Sequence, residues 1–407
     1  MGEPTTRAAN DGHAPGIREG LFLASLLALP AIHLLSVSSL FWDLAVVERV
    51  IGSHARGETA YRLGAGLQFV YPPVTLELLR NIPPRFIDTL IVLNAAVIFV
   101  PLMLVRTAGN SLAEVLRYLA LLLVPMGAMG AKAYSTGNLT LTLYVVVIGS
   151  VLLSYRSRRA VTMVLLSGVI VFASMFKPYF LAFFMVLVFR QRLLGTGLAV
   201  LGVTATALLI LAYPDAASLD AWVDAMRRQT QGFERDLGSS LFGVLRPLIN
   251  DLLGKTWRPG AYIAANLGVN VVLGCWFLMV LPAFDTLDDR RKWLISASLV
   301  LYAVMINPRL KIYDAFLLPC FAYALLPLLF RDKRVCLALL YVMLASYLLR
   351  FLPGWESVSM VAAQIVCYAA IAMIMGNTTR WRRELSHRVG HQPEFSNLDE
   401  HRPPTST

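Results

Sequence analysis

The chain has 407 residues, of which 57% are apolar and only 15% are charged. Soluble domains carry about 45–50% apolar and about 25% charged residues, so this composition excludes an ordinary soluble domain. The formal net charge is +11, but cytoplasmic loops of membrane proteins collect Lys and Arg, so this charge does not indicate a nucleic-acid partner. The 4 cysteines fall inside apolar runs, with spacings that suit neither a metal site nor a loop disulfide.

The apolar residues are concentrated in runs of roughly 17–22 residues, a length that crosses about 30 Å of hydrocarbon. Hydropathy predicts about twelve spans, so the predicted fold class is an all-α, polytopic transmembrane helical bundle. The region 161–189 is split at Lys177-Pro178 and has two interpretations, one kinked span or a pair of short spans. The predicted spans are roughly 20–40, 86–105, 112–131, 139–154, 161–176, 178–189, 194–213, 261–282, 293–306, 312–330, 335–351 and 357–376.

Short basic clusters orient these spans. With the N-terminus inside and twelve spans, the clusters fall on the cytoplasmic side, as the positive-inside rule expects. Eleven spans break this alternation, so the clusters favour two crossings within 161–189. The clusters are Arg106 and Arg117; Arg156, Arg158 and Arg159; Arg190 and Arg192; Arg290, Arg291 and Lys292; Arg331, Lys333 and Arg334; and Arg380, Arg382 and Arg383.

This orientation divides the chain into three segments. Residues 1–19 are predicted to form a cytoplasmic N-terminal segment, and residues 20–376 a transmembrane domain. Residues 377–407 are predicted to be a disordered cytoplasmic tail, because they are polar and almost free of large apolar groups. The outer loops contain two amphipathic stretches, 44–53 and 216–231, which are typical of helices that lie in the membrane interface.

The polar segment 41–81 follows the first predicted span and places Asp43 at the outer surface. Asp43 has two possible roles, an N-cap of the helix that follows or a catalytic base. Four cations fall on the same predicted face, and each has a less specific role open to it. Lys177 could snorkel to the interface, Arg309 and Lys311 could be orientation charges at the end of a span, and Arg246 could be a solvated surface charge.

Motifs in the outer segments occur in a recognisable order. They are Trp42-Asp43-Leu44 with Gly57, Tyr61, Phe69 and Tyr71-Pro72-Pro73; Gly137-Asn138-Leu139; Lys177-Pro178; the run 239–246; and the run 307–314. In order and spacing they resemble glycosyltransferase family 87 of the GT-C superfamily, over residues 20 to 375. Characterised members of that family are polyprenol-phosphate-mannose-dependent α-mannosyltransferases of the cell envelope.

The resemblance implies a GT-C-type transmembrane domain that moves a sugar, with mannose expected, from a polyprenyl-phosphate donor to an envelope glycolipid or glycan. It places the protein in the bacterial inner membrane, with its active site on the periplasmic, extracytoplasmic face. A polyprenyl-phosphate sugar reacts at the membrane surface, where the attacking hydroxyl needs a carboxylate as general base and the departing phosphate needs fixed cations. A single carboxylate fits inversion in one step.

These considerations define a set of expected site residues, with no cofactor and no metal. Asp43 is the expected catalytic base, and Lys177, Arg246, Arg309 and Lys311 are the expected donor-phosphate ligands. Two other functions remain open, an envelope polysaccharide polymerase and a lipid-linked sugar transporter or flippase. The expected substrate contacts are Trp42, Glu48, Tyr61, Tyr71, Asn138 and Asp314.

Overall fold

The computed structural model describes residues 42–58, 61, 69–82, 137–212, 216–231, 249–254, 259–307, 310, 314, 317–318, 321, 325 and 358–390. Every regular element in these ranges is a helix and none of these residues lies in a strand, which confirms the all-α class. Residues 249–253 form a further short helical segment. The other helices, numbered in chain order, are α1 (Trp42–Ala55), α2 (Pro73–Arg80), α3 (Leu139–Leu153), α4 (Ala160–Phe176), α5 (Phe184–Arg190), α6 (Arg192–Ala212), α7 (Ala216–Gln231), α8 (Pro259–Val280), α9 (Asp289–Met305) and α10 (Val358–Gly390).

The region 161–189 contains two helical segments separated at Lys177. Helix α4 ends at Phe176, and Lys177 has an extended backbone with φ −143° and ψ 108°. Pro178 then opens a short 3₁₀ helix, Pro178–Phe183, that leads into α5. Proline is tolerated at a first helical position because the N–H group it lacks has no intrahelical partner there. The residues of the motif therefore end one helix and begin the next.

The two segments run in opposite directions. Arg190, the last residue of α5, donates from Nη2 to the carbonyl oxygen of Val151 near the end of α3, at 2.7 Å. Near the start of α3, the ring of Tyr144 lies 4.8 Å from the ring of Phe180, which belongs to the 3₁₀ helix that precedes α5. The 3₁₀ helix and α5 therefore run parallel to α3, and α4, which returns from the end of α3, runs antiparallel to both. The break at Lys177 is a reversal of direction, as the basic clusters indicate.

Basic connections meet at one end of these helices. Arg156, after α3, pairs with Asp289 at the start of α9, at 3.1 Å. Arg192, at the start of α6, donates to the carbonyl oxygen of Leu281 after α8, at 2.9 Å. The connections at 154–159, 190–192 and 281–289 therefore share this end, which we call the basic end. Lys177 lies at the opposite end.

Arg190 is the largest side chain buried at the basic end, and its exposed fraction is 1%. It stabilises the end of α3, because it also donates from Nη1 to Ser154 Oγ at 3.2 Å. We expect Arg190→Leu to lower the free energy of unfolding by about 1–3 kcal/mol, since the Val151 carbonyl loses a buried donor. Thermal unfolding of the purified protein measures this, with the exposed Arg159→Leu as control. Equal stability of the two variants would show that Arg190 does not stabilise the end of α3.

Several helices turn apolar side chains outward and polar ones inward. On α8, Val272 and Met279 are 68% and 63% exposed, whereas Asn270 is 1% exposed. This distribution is the reverse of that in a water-soluble protein, where large exposed apolar patches are rare. Within the described residues, two helices are long and apolar enough to cross a membrane, Arg192–Ala212 and Ala261–Val280.

The predicted amphipathic stretches are helical. The prediction for 216–231 matches α7, and α1 contains the stretch 44–53 and begins at Trp42. Helix α10 continues to Gly390, through residues 377–390 for which the sequence predicts disorder. The N-terminal segment 1–19, residues 391–407 and the predicted spans 20–40, 86–105, 112–131 and 335–351 lie outside the described residues.

Candidate functional site

Asp43 lies in the first turn of α1, where the helix dipole favours a negative charge. Its side chain is half-buried, and its Oδ2 atom accepts a hydrogen bond from Asn138 Nδ2 at 2.8 Å. A hydrogen bond to a carboxylate is stronger than one between neutral groups. This contact fixes the orientation of the carboxylate and joins two parts of the chain that are 95 residues apart.

Asn138 is at once an N-cap and a ligand of Asp43. Its Oδ1 atom accepts from the backbone N–H of Thr140 at 2.9 Å, which caps α3. With Oδ1 directed at the helix, Nδ2 is directed at Asp43. Gly137, with φ at 62°, adopts the left-handed backbone that favours glycine just before the cap. The Gly137-Asn138 motif thus positions one amide group for two contacts.

Tyr71 lies between Asn138 and Lys177. Its hydroxyl donates to Asn138 Oδ1 at 3.4 Å, and its ring packs edge-on against Phe69 and Phe176. Lys177 Nζ lies 5.7 Å from the centre of the Tyr71 ring, within the range of a cation–π contact. Lys177 is held there because it forms the junction between α4 and the 3₁₀ helix.

Burial raises the pKa of Tyr71, and the negative charges of Asp43 and Asp314 raise it further. The Tyr71 hydroxyl therefore keeps its proton at neutral pH and acts as a hydrogen-bond donor. A neutral Tyr71 adds no negative charge beside Asn138 and its ligand Asp43.

Asp314 is a buried carboxylate with an exposed fraction of 1%. Its Oδ2 atom accepts from Asn307 Nδ2 at 3.2 Å. Helix α9 ends at Met305, two residues before Asn307, and begins at the basic end with Asp289. Asn307 therefore lies at the end of the helices where Asn138 and Lys177 also lie. The run 307–314, predicted from the sequence to line the site, contributes a second carboxylate there.

The other predicted site residues fall into two groups. Tyr61 is buried and its hydroxyl donates to the Tyr71 carbonyl oxygen at 3.1 Å, whereas Glu48 is exposed on α1, about one turn beyond Asp43. The second group lies outside what the structure describes and consists of the cations Arg246, Arg309 and Lys311 and the side chain of Trp42.

Sequence reasoning did not identify two residues of α7 that reach this region. Trp222 Nε1 donates to the carbonyl oxygen of Val70 at 3.1 Å. Arg228 Nη2 donates to the carbonyl oxygen of Tyr61 at 3.2 Å. The amphipathic pattern of 216–231 predicted the helix but not the segments that it contacts. Both acceptors are backbone carbonyl oxygens, and because every residue has one, the sequence does not identify them.

The cluster of Asp43, Asn138, Tyr71 and Lys177, which we call the Asp43 cluster, contains a carboxylate, an amide, a phenol and an ammonium group. A carboxylate can accept a proton, and an ammonium group can bind an anion. A divalent ion in proteins is usually held by several oxygen or nitrogen ligands. Within the described ranges no group of three or more His, Cys, Asp or Glu side chains is placed to hold a metal ion.

Asn138→Asp tests the role of the Asn138 amide. Aspartate caps a helix as well as asparagine does, but it cannot donate to Asp43 and it brings a second negative charge. A like charge raises the pKa of a carboxyl group by about 1–3 units at close range. We expect the acidic limb of any Asp43-dependent pH–rate profile to move to higher pH by about 1 unit or more. An unchanged acidic limb would show that Asn138 does not act on Asp43.

Comparisons with known proteins found no match to this chain. No family model matches the sequence, no curated protein matches it, and no solved structure matches the fold. The resemblance to glycosyltransferase family 87 therefore rests on the motifs in the sequence.

Proposed function

We propose that this chain is an integral-membrane inverting glycosyltransferase. It transfers a sugar, with mannose expected, from a polyprenyl-phosphate donor to an envelope glycolipid or glycan. The observation that carries the proposal is the hydrogen bond between Asp43 and Asn138, at the same helix end as Lys177. A candidate base and a candidate phosphate ligand from distant parts of the chain thus meet around Tyr71.

The outward apolar faces support a membrane location. Two described helices are long and apolar enough to cross a bilayer, and exposed Val, Leu and Met side chains on α6 and α8 suit contact with lipid. The arginine contacts at the basic end agree with the positive-inside orientation. We extend this to a bundle of about twelve spans in the bacterial inner membrane, with the Asp43 cluster on the extracytoplasmic face.

The proposed reaction uses the carboxylate of Asp43 and the ammonium group of Lys177. Asp43 accepts the proton of the acceptor hydroxyl while that oxygen attacks the anomeric carbon of the donor sugar. The new glycosidic bond forms as the bond between the anomeric carbon and the phosphate oxygen breaks. The polyprenyl phosphate leaves with the bonding electrons, and Lys177 stabilises the charge that develops on it. Attack and departure on opposite sides of the carbon invert its configuration.

The two carboxylates orient the donor. Phosphate is repelled by Asp43 and Asp314, so the phosphate lies on the Lys177 side and the sugar lies on the carboxylate side. Asp314 and Asn307 then bind sugar hydroxyls, since carboxylates accept and amides donate hydrogen bonds. In this proposal Arg246, Arg309 and Lys311 join Lys177 around the phosphate. The acceptor hydroxyl approaches from the side of Asp43.

Donor-dependent thermal stabilisation tests the proposal. The purified protein is heated with a panel of polyprenyl-phosphate sugars, with free polyprenyl phosphate and with nucleotide sugars. A ligand that binds only the folded state stabilises it by about 2.7 kcal/mol at one hundred times its Kd. We expect one polyprenyl-phosphate sugar to raise the midpoint more than polyprenyl phosphate alone. Stabilisation by a nucleotide sugar instead would contradict the proposed donor class.

A further inference from the structure

Helix α7 makes two side-chain contacts, one with the segment 69–72 that carries Tyr71 and one with Tyr61. Trp222 donates from its indole N–H to the Val70 carbonyl oxygen at 3.1 Å, and Arg228 donates to the Tyr61 carbonyl oxygen at 3.2 Å. Trp222 is half-buried and packs against the hydrophobic core. The two acceptors are backbone atoms, so these contacts fix the path of the chain and not only the position of one side chain.

Tyr61, whose carbonyl oxygen accepts the hydrogen bond from Arg228, also contacts Tyr71 through its own side chain. The Tyr61 hydroxyl donates to the Tyr71 carbonyl oxygen at 3.1 Å, and the Tyr61 ring lies 5.7 Å from that of Phe69. Three backbone carbonyls, those of Tyr61, Val70 and Tyr71, therefore accept hydrogen bonds from side chains. Residues 69–72 have no regular secondary structure, so the side-chain donors to Val70 and Tyr71 replace the backbone bonds that a helix would supply.

The Tyr71 side chain ends in the Asp43 cluster. Its hydroxyl donates to Asn138 Oδ1 at 3.4 Å, and Asn138 donates to Asp43 at 2.8 Å. A continuous series of contacts thus leads from Trp222 on α7 through Tyr71 to the candidate base. A small error in the placement of a reacting group lowers the rate of an enzyme strongly, so contacts that fix Tyr71 also affect the reaction.

We infer that Trp222 and Arg228 are positioning residues, through which α7 sets the placement of Tyr71 and the Asp43 cluster. The expected effect on kcat rests on the proposed transfer reaction. The expected effect on the placement of Tyr71 rests on the geometry alone. Neither residue touches the reacting atoms. Their removal is expected to lower kcat while the KM for the sugar donor is retained, because phosphate and sugar contacts remain.

The chain offers matched controls for both residues. Trp222→Phe keeps an aromatic ring but removes the N–H donor, and Trp276→Phe makes the same change at a site that is 51% exposed on α8. Arg228→Gln removes the donor to Tyr61, and Arg227→Gln changes the neighbouring arginine, which forms an exposed ion pair with Asp224 at 3.6 Å.

Two measurements test the inference. Hydrogen–deuterium exchange of residues 69–82 reports on the segment without any substrate, and we expect faster exchange in Trp222→Phe and Arg228→Gln but not in the two controls. In the transfer assay we expect kcat to fall about five- to tenfold in each variant, the loss that corresponds to one hydrogen bond, with less than about a twofold change in KM. A general loss of stability would instead accelerate exchange throughout the chain.

The outcomes separate the inference from the proposed function. If the wild-type protein transfers sugar and the variants match it in kcat, the positioning role is overturned and the transferase remains. If the wild-type protein transfers no sugar from any donor, the proposed function is overturned. Unchanged exchange of residues 69–82 in Trp222→Phe and Arg228→Gln overturns the positioning role in either case.

Discussion

Replacing Asp43 with Asn is expected to abolish sugar transfer while the protein still folds and binds its donor. Asparagine has nearly the same shape as aspartate but cannot accept the proton of the acceptor hydroxyl. Loss of a general base typically costs about 10²–10⁴ in rate. Donor binding depends on contacts to the sugar and the phosphate, so donor-dependent stabilisation is retained. Steady-state transfer and thermal unfolding, measured on the same preparation, separate the two effects.

Asp220→Asn is the control for this substitution. Asp220 is exposed on α7 and has no role in the proposed reaction, so transfer is expected to be unchanged. Wild-type turnover in Asp43→Asn would remove Asp43 from the mechanism. Loss of both transfer and donor-dependent stabilisation would show that Asp43 binds substrate and does not only accept a proton.

The second large effect is expected at Gly195, where α6 crosses the end of α5. A Cβ atom at Gly195 would lie 2.3 Å from the carbonyl oxygen of Leu187, a distance that real contacts do not reach. The obstacle is backbone, so the two helices must separate to accommodate alanine. Overpacking in a core typically costs about 1–3 kcal/mol and occasionally more, and we expect Gly195→Ala to reach the upper part of that range.

Gly197→Ala is the matched control on the same helix. Apart from the helix's own nearby backbone, no atom of the described residues lies within 4 Å of the Cβ position at Gly197, and alanine is favoured over glycine in a helix by about 1 kcal/mol. Thermal unfolding is therefore expected to move in opposite directions for Gly195→Ala and Gly197→Ala. Equal midpoints would contradict the close approach of α5 and α6.

Gly202 lies about two helical turns further along the same interface. We expect Gly202→Ala to be less destabilising than Gly195→Ala. Its Cβ atom would lie 2.2 Å from the ring of Phe184, but that obstacle is a side chain and it has some freedom to move. The comparison of Gly195→Ala with Gly202→Ala therefore distinguishes a backbone contact from a side-chain contact. Small residues at such positions allow close approach of membrane helices.

Local patterns predicted the helices well. The amphipathic pattern of 216–231 matches α7, and the proline at 178 correctly marks the break between α4 and the 3₁₀ helix. Both signals depend on neighbouring residues alone. The end of α10 was missed for a related reason, because hydropathy reports where apolar residues stop and not where the helix stops. Residues such as Arg382, Glu384 and Leu385 are good helix formers.

The candidate site was predicted in part. Asp43, Asn138, Tyr71 and Lys177 were each selected from the sequence, and the structure brings these four together. Their contacts were not predicted, because a hydrogen bond between residues 95 positions apart depends on how α1 and α3 pack. The contact between Trp222 and Val70 was also missed, since a backbone carbonyl is present at every residue and marks no partner in the sequence.

Transfer of a labelled sugar tests the central claim most directly. The purified protein in lipid vesicles is incubated with polyprenyl-phosphate sugars, each radiolabelled in the sugar, and with an envelope glycolipid extract as acceptor. We predict that one sugar appears in a new, protein-dependent glycolipid with inverted anomeric configuration and that Asp43→Asn forms none. Movement of the intact donor across the vesicle membrane, with no glycosidic bond formed, would contradict the account and indicate a transporter.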